Sequence, residues 1–342
     1  MRITIPELSL IALVGVSGSG KSTFAARHFA PTEVLSSDFC RGLVSDDQND
    51  QTATEAAFEV LHFVAGKRLE AGRLTVVDAT NVQPEARKPL VTLAKRHHVL
   101  PVAVVLDVDE ATCGARNGQR PDRDFGPHVL RNQRRQLRRS LGGLRKEGFH
   151  KAWILHGTDE IDRVTIERQP LWTDRRHDHG PFDIIGDVHG CYDELAELLG
   201  RLGYQLGAGG ATAHHPENRR AFFVGDLVDR GPATPAVLRL VMNMVRSGDA
   251  LAVPGNHEAK LSRALSGRNV TVSHGLAQTL AQLRAEPPGF TDEVARFIDG
   301  LVSHLVLDEG KLVVAHAGLR ADMQGRASGA VRSFALYGDT TG

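Results

Sequence analysis

Gly15-Val16-Ser17-Gly18-Ser19-Gly20-Lys21-Ser22 follows the apolar run Leu8 to Val14 and leads into a helical stretch over residues 21–30. A strand that enters a glycine-rich turn and then a helix makes a cradle for phosphates. The glycines permit backbone angles that bare several N–H groups, and the helix N-terminus adds partial positive charge. On this reading Gly15, Ser17, Gly18, Ser19, Gly20, Lys21, Ser22 and Thr23 bind ATP. Lys21 reaches the β- and γ-phosphates, and the Ser22 hydroxyl takes a place on Mg²⁺.

The bulk properties allow two domains and exclude little else. At 342 residues, with 41% hydrophobic and 24% charged side chains, the composition is that of a water-soluble globular chain. Lys+Arg and Asp+Glu are 41 each, so any polyanionic partner has to be recognised by local clusters. Cys40, Cys113 and Cys191 are far apart and suggest neither a disulfide framework nor a zinc knuckle. The N-terminus lacks a basic signal-like region, and no apolar run approaches membrane-spanning length. The expectation is a cytoplasmic enzyme with no membrane partner.

Working outward from the loop, strands are expected at residues 8–15, 33–37, 74–79, 99–108 and 153–156, separated by helical patterns. In residues 52–69, Ala53, Ala56, Ala57, Val60, Leu61, Val64 and Leu69 recur at three- and four-residue spacing. That alternation predicts an α/β fold with a parallel sheet, flanking helices, and ligands at the strand C-terminal ends. Around Pro170 the pattern breaks into the polar stretch Trp172 to Gly180. A second series begins at Phe182, with strands expected at 221–224, 250–253 and 311–315. The division predicted is a first domain over 1–168, a linker over 169–180 and a second domain over 181–342.

Ser36-Ser37-Asp38-Phe39-Cys40-Arg41 follows the second strand. There Asp38 overlooks the cleft, where it can accept a proton from an attacking hydroxyl; the alternative is an N-cap for the next helix. Arg41 can fix an acceptor phosphate by a bidentate contact. Asp78 ends the third strand near the Mg²⁺ position, and strand-end turn chemistry explains it equally well. Arg116 and Arg120 are one turn apart in a segment suited to a lid that neutralises charge during transfer; a solvated basic surface is the other reading. Arg131, Arg134, Arg135, Arg138, Arg139 and Arg145 give a cationic helix face that suits a phosphodiester strand or simply solvent.

GVSGSGKSTFA, SSDFCRG, VVDATN and RNGQRPDR together resemble the kinase module of the bacterial polynucleotide kinase-phosphatases, which heal broken RNA ends. The resemblance implies transfer of the ATP γ-phosphate to a 5′-hydroxyl polynucleotide end, with Lys21 and Ser22 serving ATP and Mg²⁺. It makes Asp38 the general base, Arg41 an acceptor contact, and Arg116 and Arg120 lid residues.

A second constellation follows: Gly186-Asp187-Val188-His189-Gly190, then Gly225-Asp226-Leu227-Val228-Asp229-Arg230-Gly231, then Gly255-Asn256-His257-Glu258, each at a strand end. His316 follows a further strand. These motifs resemble the binuclear metallophosphoesterases, of calcineurin-like α/β fold. The resemblance implies that Asp226 bridges two divalent ions about 3.5–4 Å apart. Asp187 and His189 hold one ion, and Asn256 and His316 the other. Arg230 grips phosphate oxygens, His257 protonates the leaving alkoxide, and Asp229 orients His257. Oxygen and nitrogen ligands without thiolate suit Mn²⁺ or a neighbouring metal.

Members of the resembled family carry a further metal-ligand histidine, whereas no histidine follows His316 here. The expectation is a C-terminally truncated second domain with one ligand too few, its phosphatase activity in question, and a ligase-like domain missing or supplied by a partner. Kinase first and phosphoesterase second point to a bifunctional end-healing enzyme. Its partners would be nucleic-acid ends, RNA in particular, from which it removes 2′,3′-cyclic or terminal phosphates. The alternative is a P-loop kinase of a small metabolite fused to a domain like the protein serine/threonine phosphatases or dinucleoside tetraphosphate hydrolases.

Overall fold

The structure, a computed structural model, describes residues 1–119 and 127–339. The chain divides into two compact units, Met1–Leu171 with Arg326–Ser328, and Trp172–Gly325 with Gly329–Gly342.

In chain order the first unit contains β1 (Arg2–Pro6), β2 (Ser9–Val14), α1 (Lys21–His28), β3 (Val34–Ser36), α2 (Ser37–Ser45), α3 (Thr54–Glu70), β4 (Thr75–Asp78) and α4 (Pro84–Arg96). It continues with β5 (Leu100–Asp107), α5 (Glu110–Gly118), α6 (Pro127–Ser140), α7 (Leu144–Glu147), β6 (Lys151–His156), α8 (Gly157–Arg163) and β7 (Thr165–Gln169). Five strands form a parallel sheet in the order β3-β4-β2-β5-β6. All six residues of β2 are buried. Helices cover both faces of such a sheet, so a central strand reads as an unbroken apolar run.

α1 stops at His28 because Phe29 turns extended ahead of Pro31, which cannot continue a helix. The cationic segment is not one helix: α6 ends at Ser140, and Gly142-Gly143 make a tight turn before the short α7. β1 and β7 pair in parallel, with Ile3 and Ile5 buried, a small sheet that five residues of alternating sequence hardly announce.

The second unit contains β8 (Phe182–Ile185), α9 (Tyr192–Arg201), β9 (Gln205–Leu206), β10 (Ala213–His214), β11 (Arg220–Phe223), α10 (Thr234–Ser247) and β12 (Ala250–Ala252). Then come α11 (Asn256–Leu265), α12 (Leu276–Arg284), α13 (Phe290–Gly300), β13 (His304–Leu307), β14 (Leu312–Ala315) and α14 (Gly329–Tyr337). β12, β11 and β8 form a parallel sheet, and β13 pairs antiparallel with β14. Successive residues of β11 point to opposite faces: Ala221 and Phe223 pack into the larger apolar cluster, Phe222 against Leu305, Leu307 and Val314. The stretch 169–180, expected as a linker, is structured over much of its length. Gln169 ends β7, Thr173 is buried with its carbonyl accepting from Val306 N at 2.9 Å, and Arg175 N donates to Val306 O at 2.8 Å. Among the described residues no helix is long and apolar enough to cross a membrane.

Candidate functional sites

In the first unit the turn between β2 and α1 has Gly18 at φ 80° and Gly20 at φ 93°, both left-handed. A β-carbon at Gly18 would overlap the Cys113 carbonyl of α5, and one at Gly20 would lie 3.3 Å from Arg116 Nη1. The glycines thus serve conformation and close approach together, and Arg116 stands beside the loop. Lys21 Nζ donates to the Gly15 and Val16 carbonyls at 2.9 and 3.0 Å, folding over the turn. α6 joins the same loop, where Ser17 N donates to Gln133 Oε1 at 2.9 Å.

A cleft of about 400 Å³ opens in front of this turn, and Lys21, Ser22, Asp38, Arg41 and Asp78 all line it. Ser36 is the N-cap of α2, accepting from Phe39 N at 3.3 Å, so capping does not account for Asp38. Arg41 is buried, with Nη1 donating to Asp38 Oδ1 at 3.0 Å and to Gln48 O at 2.6 Å. Its buried Nε has no hydrogen-bond partner among the described residues. Gly15, Ser19 and Thr23 complete the turn and the first helical turn. Arg120 lies outside the described residues.

In the second unit the three glycine-bearing loops converge where β8, β11 and β12 end. A β-carbon at Gly225 would overlap the Gly255 backbone; at Gly231, the His189 carbonyl; at Gly255, the Asp226 side chain. Packing this close brings Asp226 to the centre. Its Oδ1 accepts from His257 N at 3.0 Å. Its Oδ2 lies 3.9 Å from His189 Nε2, 3.9 Å from His257 Nε2 and 3.6 Å from His316 Nε2. Asp187 Oδ2 is 3.9 Å from His189 Nε2, and Asn256 Oδ1 is 3.1 Å from His316 Nε2.

Two groups of ligand atoms lie within 4.8 Å of one another, Asp187–Asp226–His316 and His189–Asp226–His257, with Asp226 common to both. The pairs expected from sequence, Asp187 with His189 and Asn256 with His316, are adjacent, and His257 also lies close enough to count among the ligand atoms. Backbone carbonyls hold the Nδ1 atoms of His189 and His316, Val228 O and Val224 O respectively, each at 2.9 Å. That leaves Nε2 facing inward. His189 Nε2 is buried without a hydrogen-bond partner among the described residues, a condition that a bound cation relieves. The donor set fits divalent cations: carboxylate, amide oxygen and imidazole converge with no thiolate.

His257 has other partners as well. Its Nδ1 lies 2.6 Å from Asp229 Oδ2, and the fully buried Asp229 also accepts from Thr279 Oγ1 at 2.6 Å. Arg230 Nη2 is 3.4 Å from His257 Nε2, and Arg230 is exposed at the rim. His189, Asp226, Asp229 and Arg230 all have φ between 47° and 71°, a region costly for non-glycine residues.

Glu258 holds that geometry, and sequence reasoning gave it no role. Its two fully buried oxygens accept from Gly255 N (2.7 Å), Asp226 N (2.7 Å), Leu227 N (2.8 Å) and Val228 N (3.3 Å). Burial foremost, and the neighbouring Asp226 carboxylate, push its pKa up, while the backbone N–H groups pull it back. Four donors leave no acceptor for a carboxyl proton, so the anion is the form that fits. An acidic residue one position after a candidate histidine was the available signal.

Residues 10–142 match the AAA domain family and residues 180–333 the calcineurin-like phosphoesterases. A bis(5′-nucleosyl)-tetraphosphatase PrpE of Geobacillus thermodenitrificans is 48% identical over 164 residues, 47% of this chain and 66% of that protein. The PrpE of Bacillus subtilis is 42% identical over 165 residues, 47% of this chain and 67% of that protein. This chain therefore spans about two thirds of the length of these relatives. A shikimate kinase from Acinetobacter baumannii aligns with TM-score 0.31 and 20% identity, over 45% of this chain and 88% of that one. The chain joins a P-loop kinase-like domain to a domain of the calcineurin-like phosphoesterase family.

Proposed function

We propose that the chain is a bifunctional nucleic-acid end-healing enzyme. The first unit phosphorylates the 5′-hydroxyl of a polynucleotide, and the second removes a terminal or 2′,3′-cyclic phosphate. The observation that carries the kinase reading is that Asp38 and Arg41 share one cleft with Lys21 and Ser22. The loop N–H groups and Lys21 bind the ATP phosphates, and Arg116 neutralises charge as the γ-phosphoryl moves. Asp38 accepts the acceptor hydroxyl's proton, and Arg41 orients that carboxylate while offering its free edge to an acceptor phosphate. Ser22, with Asp78 behind it, would hold Mg²⁺.

In the second unit Asp187, His189, Asp226, Asn256 and His316 would hold two divalent cations such as Mn²⁺. When bound, such ions polarise the phosphoester and lower the pKa of the attacking water. Arg230 steadies phosphate oxygens at the rim. His257, its Nδ1 proton fixed by Asp229, presents Nε2 to the leaving oxygen.

The test is transfer of label from γ-labelled ATP to a 5′-hydroxyl oligonucleotide. Transfer that Asp38→Ala abolishes supports the reading, and transfer only to a nucleoside or sugar replaces it. A second reading of the second unit is favoured by the 48% identity to a PrpE tetraphosphatase: asymmetric cleavage of dinucleoside tetraphosphates. Comparing hydrolysis of a bis(5′-nucleosyl) tetraphosphate with that of a 2′,3′-cyclic phosphate end decides between the two.

A further inference from the structure

α6 carries three stripes with different surroundings. Val129, Gln133 and Gln136 line the cleft of Asp38 and Lys21, Leu130 and Leu137 are buried, and Arg131, Arg135, Arg138 and Arg139 are exposed. At 3.6 residues per turn the arginines occupy the arc facing away from the leucines, with Arg139 about 60° around the helix from Gln136. Residues 128–140 include no acid. The next acid along the chain, Glu147, is engaged by Arg87 at 2.6 Å. Arg135 Nη2 donates to a neutral partner among the described residues, Asn132 Oδ1, at 2.8 Å.

Arg131, Arg135 and Arg139 succeed one another at four-residue spacing, where like charges destabilise a helix by about 0.2–0.5 kcal/mol per pair. The helix bears that cost with no compensating acid of its own. A row of guanidinium groups about 12 Å long matches a chain of phosphates, which it can grip in bidentate fashion. The stripe has no aromatic side chain on which a base could stack, so the contact would be to backbone and indifferent to sequence.

We propose that the Arg131–Arg135–Arg138–Arg139 stripe is the docking track for the phosphodiester backbone of a single-stranded polynucleotide. The strand leaves the Asp38 cleft past Gln136 and runs onto the stripe. This rests on the kinase reading above and extends it from the terminal nucleotide to the strand behind it.

The full chain is compared with the variant Arg131→Ala/Arg135→Ala/Arg138→Ala/Arg139→Ala, whose changes lie at exposed helix positions that alanine suits. Binding of a fluorescent single-stranded oligonucleotide is followed by anisotropy across a salt series, and phosphate transfer to a 5′-hydroxyl dinucleotide is measured alongside. The variant is expected to bind the oligonucleotide at least tenfold more weakly. The slope of log affinity against log salt should flatten by about 3, from about 0.7 per phosphate contact. Dinucleotide turnover should be unchanged. Equal affinity and slope in both proteins overturn the proposal, as does an acidic polypeptide that binds as tightly with the same arginine dependence. Arginine-dependent binding without transfer to any oligonucleotide overturns the kinase reading and leaves the track standing.

Discussion

Replacing Glu258 with glutamine tests whether one buried carboxylate holds the phosphoesterase loops in place. In the native site each Glu258 oxygen accepts two backbone N–H groups, from Gly255 and Asp226 on one side and Leu227 and Val228 on the other. Glutamine keeps one such pair and turns an NH₂ toward the other, setting donor against donor. Two hydrogen bonds to a charged acceptor are lost, at about 1.5–3 kcal/mol each, or roughly 3–6 kcal/mol before relaxation. Relief from burying the charge offsets part of this, so about 3 kcal/mol is the expected net loss. For a unit of this size each kcal/mol moves the midpoint by about 2–4 °C, which gives a fall of about 6–12 °C. Differential scanning calorimetry on the full chain is the assay, with the transition of the second unit identified by its response to added Mn²⁺. If Glu258 were protonated in the folded protein, glutamine would be nearly isosteric and the loss below about 1 kcal/mol. That result would refute the anionic clamp, because burial and Asp226 would then have outweighed the four N–H donors.

Other predictions bear on the two reactions and on stability. Asp38→Ala should leave ATP binding nearly intact while lowering phosphate transfer about 10²–10⁴-fold, measured by filter binding and single-turnover kinetics. Asp187→Ala should abolish metal-dependent phosphoester hydrolysis and spare kinase turnover; loss of both would argue for one composite site. Gly18→Ala should cripple ATP binding, since the new methyl meets the Cys113 carbonyl at φ 80°, and calorimetric titration with ATP reads it directly. His304 is fully buried, and desolvation lowers its pKa from 6.5 to about 4. Its folded form stays neutral while the unfolded chain takes up a proton, so stability is complete above pH 6.5 and falls by up to about 3 kcal/mol as pH drops towards 4. His304→Gln should flatten that part of the stability–pH curve in urea titrations.

The parts of the fold that were legible in the sequence are those where local pattern and burial agree. β2, β4 and β5 are apolar runs because helices cover both faces of the sheet, and 8–15, 74–79 and 99–108 mark them to within a residue or two. β1 and β7 could not be read as a pair, since parallel pairing across the length of the unit leaves no local trace. The polar run from Trp172 to Gly180 looks like a linker until Val306, far away in sequence, supplies its hydrogen bonds. Among candidate site residues, sequence singles out those whose types announce their chemistry: Lys21 after glycines, Asp187 and His189 at a strand end. Glu258 was passed over because its function is to accept backbone N–H groups, and sequence does not reveal where those will be.

Strain explains why that omission matters. His189, Asp226, Asp229 and Arg230 adopt left-handed backbone angles, each costing on the order of 1 kcal/mol or more for a residue with a β-carbon. These residues lie on the loops after β8 and β11, and in this conformation Asp226 Oδ2 faces the imidazoles of His189, His257 and His316. Cation binding alone could enforce it, but the site would then form only when loaded, and its affinity would be reduced by the cost of ordering. Glu258 ties Gly255 of one loop to Asp226, Leu227 and Val228 of another, and His189 N and Gly190 N bond to Asp226 O and Leu227 O at 2.8 Å each. The strained conformation is therefore maintained by backbone hydrogen bonds that need no metal. It follows that Glu258→Gln should weaken Mn²⁺ binding by more than any loss of ligand would predict, since glutamine at 258 removes no ligand at all. Isothermal titration below the variant's unfolding temperature measures this, and an unchanged affinity would mean that the loops hold their shape without the clamp.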